Sequence, residues 1–311
     1  MELDLHRLWI FMQVVEHRGF SAAAQKLYMS QPSVSNQVRR LEESLRTTLI
    51  DRSGGRIRPT AEGQVLDTYG KRVFLLAEEA VAAVQQLSGL QTGRIVVGGS
   101  TTVGTYLLPD LLAAYRSRHP SVEGHIFVGN NKAVIEQLLS GGVGIAVVAG
   151  APADQRLVSE TVLEERLVMV AAPGHPLAGI ASLTADMFAG ERLILREPGS
   201  QTRELQESTL GSWGLTEASW TEVWGPEAVK RCVAAGLGIS LISEHAVADD
   251  VRSGTLALLE VEQAAQARPI TLLRRRDRLL SAAEQAFVQL LRDQPAWPLR
   301  RVPSQPAGPG K

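Results

Sequence analysis

The stretch SAAAQKLYMSQPSVSNQVRRLEESL, from Ser21 to Leu45, places three consecutive alanines ahead of a Ser-Gln-Pro turn and a polar, basic segment. Ser21 can cap a short helix over residues 22–27, and the alanines are small enough for this helix to lie very close to a crossing helix. Ser30 is a good N-cap, and Pro32 falls in the first turn, where its missing N–H costs nothing. The stretch therefore predicts two tightly crossing helices, the second beginning after Ser30.

The second helix has one apolar and one polar face. At about 100° per residue, Val34, Val38, Leu41 and Leu45 fall within about 60° of one another and form the buried stripe. The other side presents amide, hydroxyl and guanidinium groups, which hydrogen-bond base edges and phosphates in a major groove. The residues of this helix that we expect to contact double-stranded DNA are Gln31, Pro32, Ser33, Ser35, Asn36, Arg39 and Arg40. Such a pair of helices is a helix-turn-helix.

The flanking segments extend this unit. Apolar residues at helical spacing predict a first helix over residues 4–17. Downstream, LIDRSGGRIRPTAEG predicts a hairpin with its turn at residues 54–55, and Arg52 and Arg56 beside that turn are expected to meet the sugar-phosphate backbone or the minor groove. Thr60 is placed to cap the next helix.

The helix after Thr60 carries a heptad repeat. Leu66, Val73, Ala80 and Leu87 follow one another at seven-residue intervals. Three heptads favour a dimerisation helix, although an ordinary surface helix packed on its own domain has a similar pattern. Pairing would set two recognition helices about a two-fold axis, which predicts an interrupted inverted repeat as the operator.

Composition limits the class of protein. The chain has 311 residues, 44% of them hydrophobic, and a net charge of −1, which fits a soluble chain with two or three cored units. The segment from Arg18 to Arg58 nevertheless holds eight basic and three acidic residues, a net charge of +5. On charge alone, this excess fits a polyanionic partner and a solvated surface equally well.

The sequence also predicts where the chain works. Cys232 is the single cysteine and cannot form an internal disulfide, and the N-terminus shows no leader pattern. We therefore expect a cytoplasmic protein. The apolar runs fall short of the roughly 18 residues that span a bilayer, so no membrane partner is expected.

From Arg94 onward, apolar β-rich runs alternate with helical stretches, which is typical of an α/β architecture with mostly parallel sheets. The predicted strands are residues 95–97, 126–128, 145–148, 167–171, 193–195, 239–242 and 270–273. Residues 294–311 contain five prolines and no apolar periodicity, so we expect a disordered tail.

Six motifs of the chain occur together in one known family. FSAAAQKLYMSQPSVSNQVRRLEESL, LIDR and RPTAEG closely resemble the winged helix-turn-helix of the LysR-type transcriptional regulators, and TYLLPDLLAAYRSRHPSVE, APGHPLA and AVKRCVAAGLGISLIS resemble their effector domain. The resemblance covers residues 3–293. Arg46 and Ile50 stand where the family often has Gly and Phe, and Gly144 replaces the usual acidic residue of the third strand.

The resemblance implies an architecture and a set of partners. It implies a winged helix-turn-helix at residues 1–59, a linker or dimerisation helix at 60–90 and an effector-binding domain at 91–293, which resembles periplasmic binding proteins and has a cleft between two α/β subdomains. Subdomain one would comprise residues 91–161 and 267–293, and subdomain two residues 162–266. The implied assembly is a homodimer or homotetramer, with RNA polymerase as a further partner.

Two hydroxyl-rich turns are candidates for the effector site. GGSTTVG and REPGSQTRE each lead from a predicted strand into a helix, where free N–H groups suit an anion. The residues that we expect to bind a small anionic metabolite are Ser100, Thr101, Thr102, Ser200, Thr202 and Arg203. The alternative is that each turn is a plain helix cap. In family members with a similar Gly-Ser-X-Thr-Arg turn, the ligands implied are small anions of carbon fixation or sulfur metabolism.

Three classes of function were weighed: a ligand-responsive DNA-binding regulator, a small-molecule binding protein with a basic N-terminus, and an enzyme with an added DNA-binding module. The polar face from Gln31 to Arg40 favours the first over the second. No Walker lysine, nucleophile elbow or acid–base set accompanies the hydroxyl turns, so no catalytic residue and no cofactor are expected. The six histidines lack metal-ligand spacing, and Cys232 is more typical of a buried thiol than of a redox sensor.

Overall fold

The computed structural model describes residues 3–52, 57–87, 93–216, 218–263 and 265–293. The chain divides into two compact units, Met1–Val81 and Ala82–Lys311. The predicted tail at residues 294–311, the turn at 54–55 and Arg56 lie outside the described residues.

The first unit is a winged helix-turn-helix. Its elements are α1 (Leu5–Glu16), α2 (Phe20–Leu27), α3 (Gln31–Leu45), β1 (Ile50–Asp51), β2 (Arg58–Pro59) and the long helix α4 (Ala61–Leu87), which continues into the second unit. β1 and β2 pair antiparallel, as expected for the two arms of a hairpin. The Thr60 hydroxyl accepts the Gly63 N–H at 3.0 Å, which confirms the predicted cap of α4.

The crossing of α2 and α3 is close, but α2 begins earlier than predicted. Its cap is Gly19 rather than Ser21, because Phe20 is helical and buries its ring in the core. Ala23 and Ala24 face that core, whereas Ala22 is exposed. Ser30 caps α3 as predicted, since its hydroxyl accepts the Ser33 N–H at 3.3 Å.

The predicted apolar stripe of α3 is buried. Val34, Val38 and Leu41 are inaccessible to solvent, and Leu45 packs against them from the edge of the core. The helix ends at Arg46, which adopts a left-handed conformation with φ 54°. A side chain in this conformation is strained, whereas glycine is not. This explains physically why glycine suits the position after the helix.

The second unit mixes helices with two sheets. Its strands are β3 (Gly93–Ser100), β4 (Val122–Gly129), β5 (Ile145–Ala149), β6 (Leu157–Ala171), β7 (Leu193–Arg196), β8 (Trp220–Val223), β9 (Ser240–Ser243), β10 (Ala257–Leu259) and β11 (Ala267–Arg275). Its helices are α5 (Thr101–Tyr106), α6 (Leu108–Arg118), α7 (Asn131–Ser140), α8 (Gln201–Ser212), α9 (Pro226–Ala234), α10 (Glu244–Ser253) and α11 (Ala282–Asp293), with a 3₁₀ helix at Ala185–Phe188.

The expectation of mostly parallel sheets is wrong for the centre of this unit. β3 runs parallel to β4 and β5, and β7 runs parallel to β8. However, β11 is antiparallel to both β5 and β6, and β6 is antiparallel to β9 and β10. The long strand β6 therefore pairs with β11 over its first part and with β9 and β10 over its last part. A local pattern of apolar residues does not reveal this change of partners.

The apolar side chains of this unit form several separate clusters. One cluster gathers Ile95, Val147, Ile270 and Phe287 with their neighbours. Another gathers residues from Leu167 to Leu259, around the 3₁₀ helix and α8. Each cluster has its own strands and helices, so the space between them can form a cleft.

Gly144 makes room for a buried ion pair. A Cβ atom on Gly144 would overlap the Glu284 carboxylate, and Arg278 donates to the Gly144 carbonyl at 2.8 Å and to Glu284 at 3.1 Å. Both side chains are buried. An acidic side chain at position 144 would collide with the carboxylate that Glu284 supplies from α11, so the departure from the family pattern is structurally compensated.

Among the described residues, no helix is both long enough and apolar enough to cross a bilayer.

Replacing Arg46 by glycine should stabilise the first unit. The substitution relieves the strain of a left-handed non-glycine residue, which costs about 1–2 kcal/mol. Glycine also raises the conformational entropy of the unfolded chain, which opposes this gain, so the expected net stabilisation is about 0.5–1 kcal/mol. Native-state hydrogen exchange of the α3 amides measures the gain. The control, Glu43→Gly in the same helix at an ordinary helical position, should lower stability by about 1 kcal/mol. Equal losses in both variants would contradict the strain at Arg46.

Candidate DNA-contacting face and ligand cleft

The predicted recognition face of α3 is open to solvent. Gln31, Pro32, Ser33, Arg39 and Arg40 are exposed, and Ser35 and Asn36 are half-buried. Within this face, Arg39 donates to Asn36 Oδ1 at 3.2 Å, and its Nε lies 3.6 Å from a Glu43 carboxylate oxygen. A base or phosphate that contacts this face therefore contacts Asn36 and Arg39 as a hydrogen-bonded pair.

Glu42 is a positioning residue that the sequence did not single out. Its carboxylate Oε1 accepts the N–H groups of Leu49 and Ile50 at 2.8 and 3.2 Å. The chain after α3 is thereby held against the helix, and β1 starts from a fixed point. The sequence gives little indication of this role, because a glutamate that accepts a backbone N–H group seven residues later has the same local pattern as a glutamate exposed on any helix.

The predicted backbone contact Arg52 is held in place inside the unit. Its guanidinium lies 3.4 Å from Glu42 and 5.1 Å from the centre of the Phe20 ring. Together with Arg39, it borders a shallow depression between α3 and the hairpin. The side chain is therefore oriented before any partner arrives.

The exposed apolar stripe of α4 partly matches the predicted heptads. Val65, Tyr69 and Leu76 are exposed, and Leu76 is 65% accessible. Val73 is half-buried and Ala80 is exposed, whereas Leu66 packs against the core of its own unit. Leu66 therefore fits the alternative in which this helix packs on its own domain. The side chain of Leu87 lies outside the described residues.

In the second unit, the two hydroxyl-rich turns line one cavity. The cavity is small, with a volume of about 20 Å³. Its lining includes Ser100, Thr101, Thr102, Asn130, Asn131, Arg196, Ser200, Gln201 and Thr202. A second, deeper cavity shares Thr102, Arg196 and Thr202 with the first, so these side chains lie between the two spaces.

Two glycines allow the first turn to lie where it does. A Cβ atom on Gly99 would approach Gly104 Cα to 2.6 Å, so α5 can lie against β3 only without side chains at this contact. The close approach carries Ser100 and Thr102, both buried, to the cavity wall. The glycines of GGSTTVG are thus required for the packing of α5 against β3, and the same segment is a candidate ligand turn.

Hydrogen bonds decide which hydroxyls can donate to a ligand. Ser100 Oγ accepts the Ala149 N–H at 3.0 Å, Ser200 Oγ accepts the Thr202 N–H at 3.2 Å, and Thr202 Oγ1 accepts from Arg268 at 3.3 Å. Since an N–H group cannot accept, each of these three hydroxyls keeps its hydrogen for another acceptor. Thr101 differs, because its hydroxyl already donates to the Gly129 carbonyl at 3.2 Å.

Arg196 is a cavity residue that sequence reasoning missed. It is buried and makes a bidentate ion pair with Glu197, at 2.8 and 2.7 Å. Burial acts to raise the pKa of Glu197, but the hydrogen bonds from Arg196 and from the Gly225 N–H outweigh it and lower that pKa. The carboxylate therefore stays charged and balances Arg196.

The predicted role of Arg203 in effector binding requires its side chain to face the cavity, but the side chain points away from it. Its guanidinium donates to the Arg196 carbonyl at 2.9 Å and to Glu207 at 2.6 Å, and lies 4.6 Å from the centre of the Trp220 ring. It is absent from the lining of both cavities. The geometry assigns Arg203 to holding β7, α8 and β8 together behind the turn.

A hydrogen bond joins α5 to α9. The Tyr106 hydroxyl, on α5, donates to Glu227, on α9, at 2.5 Å, and Lys230 lies over the tyrosine ring with Nζ 5.0 Å from its centre. Burial, followed by the hydrogen bond to Glu227, raises the pKa of Tyr106. The phenol is therefore neutral and bridges α5 and α9 as a donor.

The described residues contain no group of three or more histidine, cysteine or acidic side chains that could hold a metal ion. Cys232 is partly buried beside the apolar cluster of α9.

Both units match known family models. Residues 5–64 match the bacterial regulatory helix-turn-helix protein of the lysR family, and residues 88–296 match the LysR substrate binding domain. The chain belongs to the LysR family. It is therefore a LysR-type, ligand-responsive transcriptional regulator that binds DNA.

Named relatives of this LysR-family regulator are similar over most of their length. The RuBisCO operon transcriptional regulator of Allochromatium vinosum is 31% identical over 287 residues, which cover 92% of this chain and 95% of the relative. The HTH-type transcriptional regulator CbbR of Sinorhizobium medicae is 34% identical over 274 residues, 86% of each chain.

Solved structures share the fold of this regulator. Full-length OxyR from Pseudomonas aeruginosa has a TM-score of 0.75 at 20% identity, covering 98% of this chain and 99% of OxyR. Full-length CbnR complexed with its target DNA has a TM-score of 0.70 at 21% identity, covering 93% and 99%. The Synechocystis PCC6803 CcmR regulatory domain in complex with 2-PG has a TM-score of 0.59 at 25% identity, covering 65% and 96%.

Asn36→Ala and Arg39→Ala should each weaken operator binding by about 1–3 kcal/mol if these side chains read base edges. Because the two side chains are hydrogen-bonded to each other, the double variant should lose less than the sum of the single losses. Competition binding of operator and random duplexes measures both effects. Arg52→Ala is the comparison, since it should weaken all duplexes by similar factors. Unchanged discrimination in the Asn36 and Arg39 variants would contradict base reading.

Proposed function

We propose that this regulator senses a small anionic metabolite in the cleft of its second unit and binds an interrupted inverted-repeat operator as a homodimer or homotetramer. The predicted division into a DNA-binding domain, a linker helix and a two-subdomain effector domain is part of this proposal. RNA polymerase is the further partner that we propose for activation or repression.

The donor character of the cavity supports an anionic effector. The free hydrogens of Ser100, Ser200 and Thr202 all belong to hydroxyls whose oxygens already accept an N–H group. A ligand in this cavity therefore meets several donors, and oxyanions offer the acceptors that match them. The N–H groups at the start of α8 add to the preference for negative charge. An apolar aromatic ligand would leave these donors unpaired.

The relatives support a role in carbon fixation. Two relatives at 31% and 34% identity are named as a RuBisCO operon regulator and as CbbR. The CcmR regulatory domain is similar in fold and was solved in complex with 2-PG. We infer that this chain controls an operon of carbon fixation and that a small anion of that metabolism is its effector.

Thr202→Val should reduce affinity for the effector by roughly tenfold or more, because it keeps the shape of the side chain and removes one charge-assisted hydrogen bond worth about 1.5–3 kcal/mol. Thr102→Val is expected to act in the same direction. Calorimetric titration with phosphorylated, sulfate-like and carboxylate metabolites, including 2-PG, measures the loss.

Thr101→Val is the matched control, since the hydroxyl that it removes already donates to Gly129. It should lower affinity less than Thr202→Val. Tight binding of a neutral apolar compound, or equal affinity of wild type and Thr202→Val for the effector, would rule out the proposed anion site.

Leu76→Asp should dissociate the oligomer. If the exposed stripe of α4 pairs with a second copy, two carboxylates would face each other in an apolar seam, at a cost of about 3–5 kcal/mol. Sedimentation should then show monomers at concentrations where the wild type is oligomeric. Lys71→Ala makes the same change in net charge about 140° round the helix and should leave the oligomer intact. An unaltered assembly for Leu76→Asp would count against pairing through α4.

A further inference from the structure

Arg268 is a buried cation with one unused nitrogen. Its side chain is on β11 and the residue is 6% exposed. Among the described residues, none accepts a hydrogen bond from its Nη1 atom. Guanidinium groups do not lose their charge in proteins, so Nη1 keeps two hydrogens that have been removed from water without a replacement acceptor.

The unused nitrogen lies beside the effector cavity. Nη2 of the same guanidinium donates to Thr202 Oγ1 at 3.3 Å, and Thr202 lines both cavities. Nη1 and Nη2 are bonded to the same carbon atom, so the unpaired N–H groups are close to the wall that Thr202 forms. Arg268 itself is absent from the lining of both cavities, so an acceptor in the cavity reaches its Nη1 atom through the wall that Thr202 forms.

A single carboxylate balances this charge from the neighbouring strand. Glu165, on β6, lies directly opposite Arg268 in the antiparallel ladder and is 1% exposed. Its Oε1 atom accepts from Arg268 Nε at 2.7 Å, and its Oε2 atom accepts from the Ser243 hydroxyl at 2.7 Å. Glu165 thus engages the Nε side of the guanidinium and leaves Nη1 open.

We propose that Arg268 is an effector-specificity residue that donates from Nη1 to an oxyanion group of the ligand. This inference rests on the proposed anion-sensing cleft. A phosphate, sulfate or carboxylate oxygen is the acceptor that suits a planar guanidinium, and the Thr202 hydroxyl donates to the same group. Glu165 competes electrostatically with the ligand for Arg268, so it limits affinity for the anion.

The competition predicts opposite effects for the two partners. Arg268→Lys keeps the charge beside Glu165 but loses the fork, and it should weaken binding of the oxyanion at least tenfold. Glu165→Gln keeps the guanidinium and removes its competing charge, and it should tighten binding severalfold. A purely structural ion pair would make both variants bind more weakly, because loss of either partner would loosen the same pair of strands.

The experiment titrates the full-length wild type and variants with inorganic phosphate, inorganic sulfate and 2-PG by calorimetry. Arg275→Lys is the matched control, since Arg275 is a buried arginine of the same strand that pairs with Asp277, about 23 Å further along. It should bind each probe as the wild type does. Thermal unfolding with and without each probe gives a second measure of affinity.

Each result separates this inference from the proposed function. Weaker binding in Arg268→Lys together with tighter binding in Glu165→Gln supports the role of Arg268. Losses of similar size in both variants, or wild-type affinity in Arg268→Lys while Thr202→Val is weakened, overturn this inference alone. If Arg268→Lys does not fold, Glu165→Gln still decides, because unchanged or weaker binding in that variant overturns the competition. A wild type that binds none of the three probes overturns the anion-sensing cleft and this inference together.

Discussion

The antiparallel pairing of β6 with β11 is the constraint that organises the effector-binding unit. The pairing extends from Ala267 opposite Arg166 to Arg275 opposite Leu157. β11 also pairs with β5, and β6 continues into the ladder with β9 and β10. β6 contributes to both large apolar clusters, and Arg268 on β11 donates to Thr202 in the cavity wall, so the geometry of these two strands affects the cavity.

Buried charge and hydrogen-bond direction give the cavity its selectivity. Arg196 is balanced by Glu197 and Arg268 by Glu165, so each buried cation has a carboxylate within its own part of the fold. These pairs cost desolvation and are not strong stabilisers in themselves. Their effect is to hold guanidinium groups at fixed positions near hydroxyls whose hydrogens are free to donate. The result is a polar, donor-rich cavity wall.

The DNA-binding unit depends on small residues and on left-handed turns at Arg18, Tyr28 and Arg46. Ala23 and Ala24 let α2 and α3 cross closely, which fixes the direction of the exposed face of α3. Arg46 then ends α3 in a left-handed conformation, and Glu42 holds the following chain against the helix. A side chain at Arg46 is tolerated because the turn is determined from both sides, at a modest cost in stability.

The sequence by itself determined the local structure and the family. Alanines at 22–24, the Ser30 cap and the 3.6-residue stripe of α3 act over a few neighbouring residues, so the helix-turn-helix and its polar face could be read directly. The hydroxyl turns were visible for the same reason. Only the tertiary structure decided the antiparallel pairing of β6 with β11 and the direction of the Arg203 side chain, which points away from the cavity. It also decided the positions of Arg196 and Arg268 near the cavity. Those features depend on contacts between residues far apart in the chain, such as Arg268 with Glu165 and Thr202, and no local periodicity encodes which distant partner a buried charge will meet.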